Sequence, residues 1–103
     1  MVTIRDDYDS SLVDYITKLI FNYYDVSLLY MKTKNKKGKI PTARHMCWYI
    51  LHYHFDFSFA LIAKIYNMKS RGVRQGIADM KFFTENLEPY MSDYENIVQK
   101  IEW

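Results

Sequence analysis

Apolar side chains recur at intervals of three and four along almost this whole chain, and that spacing restricts it to one fold class. Leu12, Val13, Ile16, Leu19, Ile20 and Tyr23 form the first series, and Ala43, Cys47, Ile50, Leu51 and His54 the second. Leu61, Ile62 and Ile65 form a third, and Val73, Ile77, Met80 and Thr84 a fourth. Met91, Tyr94, Ile97, Val98 and Ile101 complete the set. Residues so spaced share one face of an α-helix, because about 3.6 residues complete a turn. No stretch alternates with a period of two, and no heptad run or internal repeat stands out. The pattern predicts an all-α fold of five or six helices without a sheet.

The expected helix ends follow from local chemistry. Asp9 or Ser10 is placed to cap the first helix, and Ser27 a short turn holding Leu28, Leu29 and Met31. Pro41 suits the first turn of a helix that reaches about Phe55. Ser58 is placed to cap a shorter helix ending near Tyr66, Ser70 caps the next, and Pro89 marks a fresh start. Asn67 and Met68 form the tight connection before Ser70, since Asn tolerates a left-handed backbone. A length of 103 residues suits a single domain, expected over residues 10–103 after a disordered or loosely ordered tail at residues 1–9.

The periodicity fails at residues 32–39, where Lys-Thr-Lys-Asn-Lys-Lys-Gly-Lys has no apolar side chain and must be a solvated loop. That loop opens the question of charge. The formal net charge of +2 conceals a strong polarity. Residues 26–78 hold ten basic side chains and one acid, Asp56, whereas residues 1–25 and 79–103 carry −3 and −4 respectively. A cationic middle between acidic ends concentrates a polyanion on one side, and double-stranded DNA is the expected partner. No basic-then-apolar leader is visible, and no stretch reaches the roughly 18 apolar residues of a membrane span. With a single cysteine, Cys47, no internal disulfide can form, which suits a reducing cytoplasm, here with nucleoid association, and no membrane partner.

Two elements are expected to carry binding. The helices on either side of Asn67 describe a helix-turn-helix, whose second member lies in the major groove. Lys69, Ser70, Arg71, Arg74 and Gln75 face away from the apolar side of that helix. Arg pairs well with guanine edges and Gln with adenine edges, and Gly72 adds no bulk between them and a phosphate. The second element is the loop, with Lys32, Lys34, Lys36, Lys37 and Lys39, followed by Arg44. Ammonium groups neutralise phosphates better than they read bases, and five such contacts would give a log–log salt slope of about −4 to −5. An ordinary solvated helix face and an exposed loop are the competing readings of these two elements.

Other chemistries lack their residues. His52 and His54 stand two apart and so diverge on a helix, as do His45 and Cys47, which argues against a metal site. Asp6, Asp7 and Asp9 read as tail or helix-start acids. No Gly-rich loop with Lys-Ser/Thr is present, so nucleotide-driven motor activity is not expected. No enzyme activity and no cofactor are expected.

From Ser11 to Ile101 the sequence resembles the C-terminal DNA-binding domain (domain IV, of the Trp-repressor-like helix-turn-helix type) of the bacterial replication initiator DnaA. Tyr23-Tyr24-Asp25-Val26 through Arg44 is similar to that family's Tyr-Tyr start, basic loop and Arg. The match continues through Cys47, Tyr49-Ile50, Ser58, Ile62-Ala63 and Tyr66-Asn67, and the tail after Met80 looks like the family's closing helix. The family's Gly-Arg-Asp-His-Ser/Thr-Thr-Val signature survives only at Val73, within Asn67-Met68-Lys69-Ser70-Arg71-Gly72-Val73. By position Lys69, Ser70 and Arg71 stand for the family's base-reading Asp, His and Ser/Thr, Gln75 for a downstream His, and Lys36 for a loop arginine that enters the minor groove. The resemblance implies a stand-alone duplex-binding module without the ATPase domain, with a target of its own. It would be a transcriptional regulator or an accessory replication factor, with replication or transcription proteins as further partners. The alternative is a protein-interaction module that reuses the fold, docking through its aromatic first or last helix.

Overall fold

A computed structural model describes residues 8–103. Five α-helices and one short 3-10 turn account for its regular structure, and no strand occurs among the described residues. The helix α1 spans Ser10–Tyr23, and the Asp9 carboxylate caps it by accepting from the Ser11 and Leu12 N–H groups at 2.9 and 3.3 Å. The rest of the expected N-terminal tail lies at residues 1–7, outside the described residues. After Asp25, at φ 58°, the 3-10 turn Leu28–Tyr30 begins with the Ser27 hydroxyl accepting from Leu29 N–H. The helix α2 spans Ile40–Phe55 with Pro41 in its first turn and ends on Asp56, which is left-handed at φ 63°.

The helix α3, Phe59–Tyr66, is capped by the Ser58 hydroxyl, which accepts from Leu61 N–H at 3.1 Å. Asn67 adopts φ 58° and ψ 50°, the left-handed turn anticipated for it, and Met68 N–H donates to Ala63 O at 2.8 Å. The helix α4 spans Ser70–Asn86 and α5 spans Tyr90–Lys100. Ser70 is the first residue of α4 rather than its cap. Lys69 takes the cap position with extended backbone and offers no side-chain acceptor to the first turn.

The helix α2 is the hub, packing on α1, α3 and α4, with α5 closing over α1 and α4. Its six residues Met46–Leu51 are all buried, so the expected single stripe becomes a nearly complete apolar girdle. His54, expected on that stripe, lies exposed beyond it and hydrogen-bonds the Tyr94 hydroxyl. The faces anticipated on α1 and α4 are buried, including Ile16, Ile20, Val73, Ile77 and Met80. Burying one such side chain contributes about 1.5–3 kcal/mol. One polar pair sits inside: the Thr17 and Tyr66 hydroxyls meet at 2.7 Å between α1 and α3. At the rim the Asp93 carboxylate of α5 accepts from Tyr23 and Tyr24 at 2.9 and 3.1 Å, fastening α5 to the end of α1.

Candidate nucleic-acid interface

The N-terminus of α4 is an open electropositive end. Its first bonded amide is Val73 N–H, which reaches Lys69 O at 3.1 Å. The Ser70, Arg71 and Gly72 amides precede it without an intrahelical carbonyl, no side chain caps them, and no acid stands in the first turn. Aligned peptide dipoles add partial positive charge there, so the end favours an anion. Lys69, Ser70, Arg71, Arg74 and Gln75 are all exposed, as expected for the outer face.

The lysine loop is irregular but held. Thr33 Oγ1 donates to Tyr30 O at 3.0 Å, and Asn35 Oδ1 accepts from Lys37 N–H at 2.9 Å. Arg44 Nη1 then donates to Asn35 O at 2.9 Å. Arg44, expected among the phosphate contacts, differs from the exposed lysines in its surroundings. It is only 5% exposed, and through its bond to Asn35 O it acts as a strut under the loop. Arg44 is buried near the start of α2, next to buried Ala43, and its guanidinium reaches the loop's own backbone. Burial lowers the guanidinium pKa, and its Nε has no hydrogen-bond partner among the described residues.

Lys34 and Lys36, on either side of Asn35, share a cavity with the start of α4. Between loop and helix lies a groove of about 360 Å³, with Lys34 and Lys36 on one lip and Lys69, Arg71 and Gly72 on the other. Arg44, His45 and Trp48 of α2 and Met68 of the connection form the rest of its lining. The remaining lysines do not join them. Lys37 and Lys39 line a separate hollow beside Tyr24 and Val26, and Lys39 Nζ stands 5.8 Å from the Tyr24 ring centroid. Arg74 lies over the Phe59 ring at 5.4 Å, and the Gln75 amide donates to Asp79 at 2.9 Å, leaving its carbonyl oxygen for other contacts.

His45 and Trp48 were not among the binding residues anticipated from sequence. Their rings stand 5.0 Å apart, and desolvation followed by the Arg44 charge holds the imidazole below its ordinary pKa, toward the neutral form. Arg44 and Trp48 stand one helical turn apart, the spacing that could have disclosed a shared side. The histidines and cysteine weighed for metal or catalysis have structural partners. His52 Nδ1 lies 2.7 Å from Phe57 O, and its ring stacks on Phe59. Burial pushes the Cys47 thiol up, so it stays protonated. Tyr15 and Tyr94 are also engaged within the fold: Tyr15 with Lys100 O and Glu102 N–H, Tyr94 with His54.

No helix among the described residues is long and apolar enough to cross a membrane. The chain matches no protein-family model and no curated protein sequence.

Proposed function

We propose that this chain binds double-stranded DNA as a non-catalytic helix-turn-helix module. In this reading α4 enters the major groove and the lysine loop rests on neighbouring phosphates. The observation that supports it most is convergence: Lys34 and Lys36 from the loop meet Lys69, Arg71 and the uncapped start of α4 around one groove. The joint between α3 and α4, three residues with Asn67 left-handed, is the connection such a helix pair requires. The resemblance to DnaA domain IV supports the same reading, with the altered signature around Arg71 directing it to a different target. The corresponding biological role is a regulator of transcription or an accessory factor in replication, in the cytoplasm and on the nucleoid.

Titration of the full chain with labelled duplex DNA at several salt concentrations tests this. Four or five phosphate contacts predict a log–log slope of about −3.5 to −4.5. Affinity indifferent to salt, or no binding at low salt, overturns the proposal. The interaction-module alternative is separated by replacing Arg71, Arg74 and Gln75 with Ala: cellular activity that survives this change favours a protein partner.

A further inference from the structure

Two outer side chains of α4 are held by residues to which duplex binding has so far given no role. The exposed Arg74 guanidinium lies over the half-buried Phe59 ring of α3, and it has no hydrogen-bond acceptor among the described residues. That ring is itself secured. The His52 imidazole of α2 stacks on it at 4.4 Å and 19°, and His52 is tied in turn to Phe57 O. A guanidinium resting on an aromatic face loses side-chain freedom and keeps its N–H fork for a bidentate acceptor. One residue further on, the exposed Gln75 amide donates to Asp79 Oδ1 at 2.9 Å. A carboxylate oxygen only accepts, so the amide NH2 must face Asp79 and the carbonyl oxygen is the end left for a ligand.

We propose that Phe59 and Asp79 are positioning residues that set which bases α4 reads. Arg74, seated on Phe59, takes a guanine edge, whose O6 and N7 suit its fork in the major groove. Gln75, turned by Asp79, takes an amino group of a neighbouring base pair. With only its carbonyl free it does not form the two-bond pair to adenine N6 and N7, and it accepts alike from adenine N6 or cytosine N4. Guanine and thymine offer acceptors at that edge and are refused. The inference rests on the duplex-binding reading of α4 and names the class of target for it.

The test is selection from random duplex DNA with the full chain and its variants, followed by competition titration of the recovered sites. Arg74→Ala and Gln75→Ala locate the two positions, each flattening the preference at one base pair. Guanine is expected at the first, and adenine or cytosine at similar frequency at the second. Phe59→Leu keeps an apolar side chain without a π-face and should lower the guanine preference about two- to fivefold, whereas Phe59→Tyr should keep it. Asp79→Ala frees the amide for both bonds to adenine and should favour adenine over cytosine by about fivefold at the second position. A merely structural role for Phe59 would weaken every position alike, and that result overturns the inference. So does a guanine preference untouched by Phe59→Leu, or a second position unchanged by Asp79→Ala. Salt-dependent duplex binding with no position flattened by Arg74→Ala or Gln75→Ala overturns it too and leaves duplex binding standing. Absence of duplex binding overturns both.

Discussion

Gly76 of α4 lies against Trp48 of α2 so closely that a Cβ built on it would stand 3.0 Å from Trp48 Cζ3. The imidazole of His45 crowds the same point, at 3.0 and 3.1 Å from its Cδ2 and Nε2. Only the absence of a side chain lets the two helices meet there. Gly76→Ala should therefore destabilise the fold by about 1–3 kcal/mol, as an added methyl in a filled interior does. Gly72→Ala in the same helix should instead stabilise it by up to about 1 kcal/mol, since its Cβ would meet open space and Ala is the better helix former. Urea unfolding of the two variants checks the contrast, and equal effects would refute this account of the interface.

The Thr17–Tyr66 pair gives a second expectation. Tyr66→Phe leaves a buried Thr17 hydroxyl without its partner and should cost about 1–3 kcal/mol. Adding Thr17→Val removes the stranded hydroxyl and should return a large part of that loss. A double-mutant cycle reads the difference directly.

Stability should decline on both sides of neutrality. Desolvation, and then the Arg44 charge, lowers the His45 pKa in the fold below its ordinary 6.5. Below that pH the unfolded chain binds more protons, so this contribution is full above 6.5 and is lost as the pH falls. Burial raises Tyr66 and Tyr24 above their ordinary 10.0, with Asp93 adding to the effect on Tyr24, and raises Cys47 above 9.0. There the folded chain retains protons that the unfolded chain releases. Stability is thus full below about pH 9 and falls as the pH rises beyond it. Urea midpoints measured from pH 5 to 11 should show a plateau between about 7 and 9. His45→Gln should flatten the part of the acid limb nearest neutrality.

Strut and contact can be told apart at Arg44 and Lys36. If Lys36 neutralises a phosphate, Lys36→Ala should reduce the steepness of the salt dependence by about one unit. Arg44→Met should weaken DNA binding while leaving that slope unchanged, and should speed proteolysis within residues 32–39. A slope reduced equally by both changes would return Arg44 to the phosphate contacts.

The helices were legible in the sequence where one face of each is wet. On α1, α3 and α4 the intervals of three and four coincide with the buried residues, because solvent on the other side keeps the pattern clean. On α2 the pattern blurs, since packing on three neighbours hides polar and apolar positions alike, Arg44 included. The positive charges of the site were legible as a run of lysines and arginines. Their division was not: Lys37 and Lys39, on the turn that carries left-handed Gly38, line the hollow beside Tyr24, and nothing in the linear order separates them from Lys34 and Lys36. Trp48 and Gly76 escaped notice because they meet from separate helices, and an interior helix glycine reads as a weakness until its neighbour is known.

The hydrogen bond from Arg44 to Asn35 O also bears on the timing of order. Lys34 and Lys36 flank the residue that is tied down, so their backbone is fixed when the chain folds and not when a ligand arrives. Immobilising a rotamer-rich side chain on binding costs about 0.5–1.5 kcal/mol, and backbone ordering adds to that. A loop anchored from beneath confines the loss to the two lysine side chains. Preorganisation of this kind makes a short cationic segment a better ligand for phosphate than the same residues in a free tail.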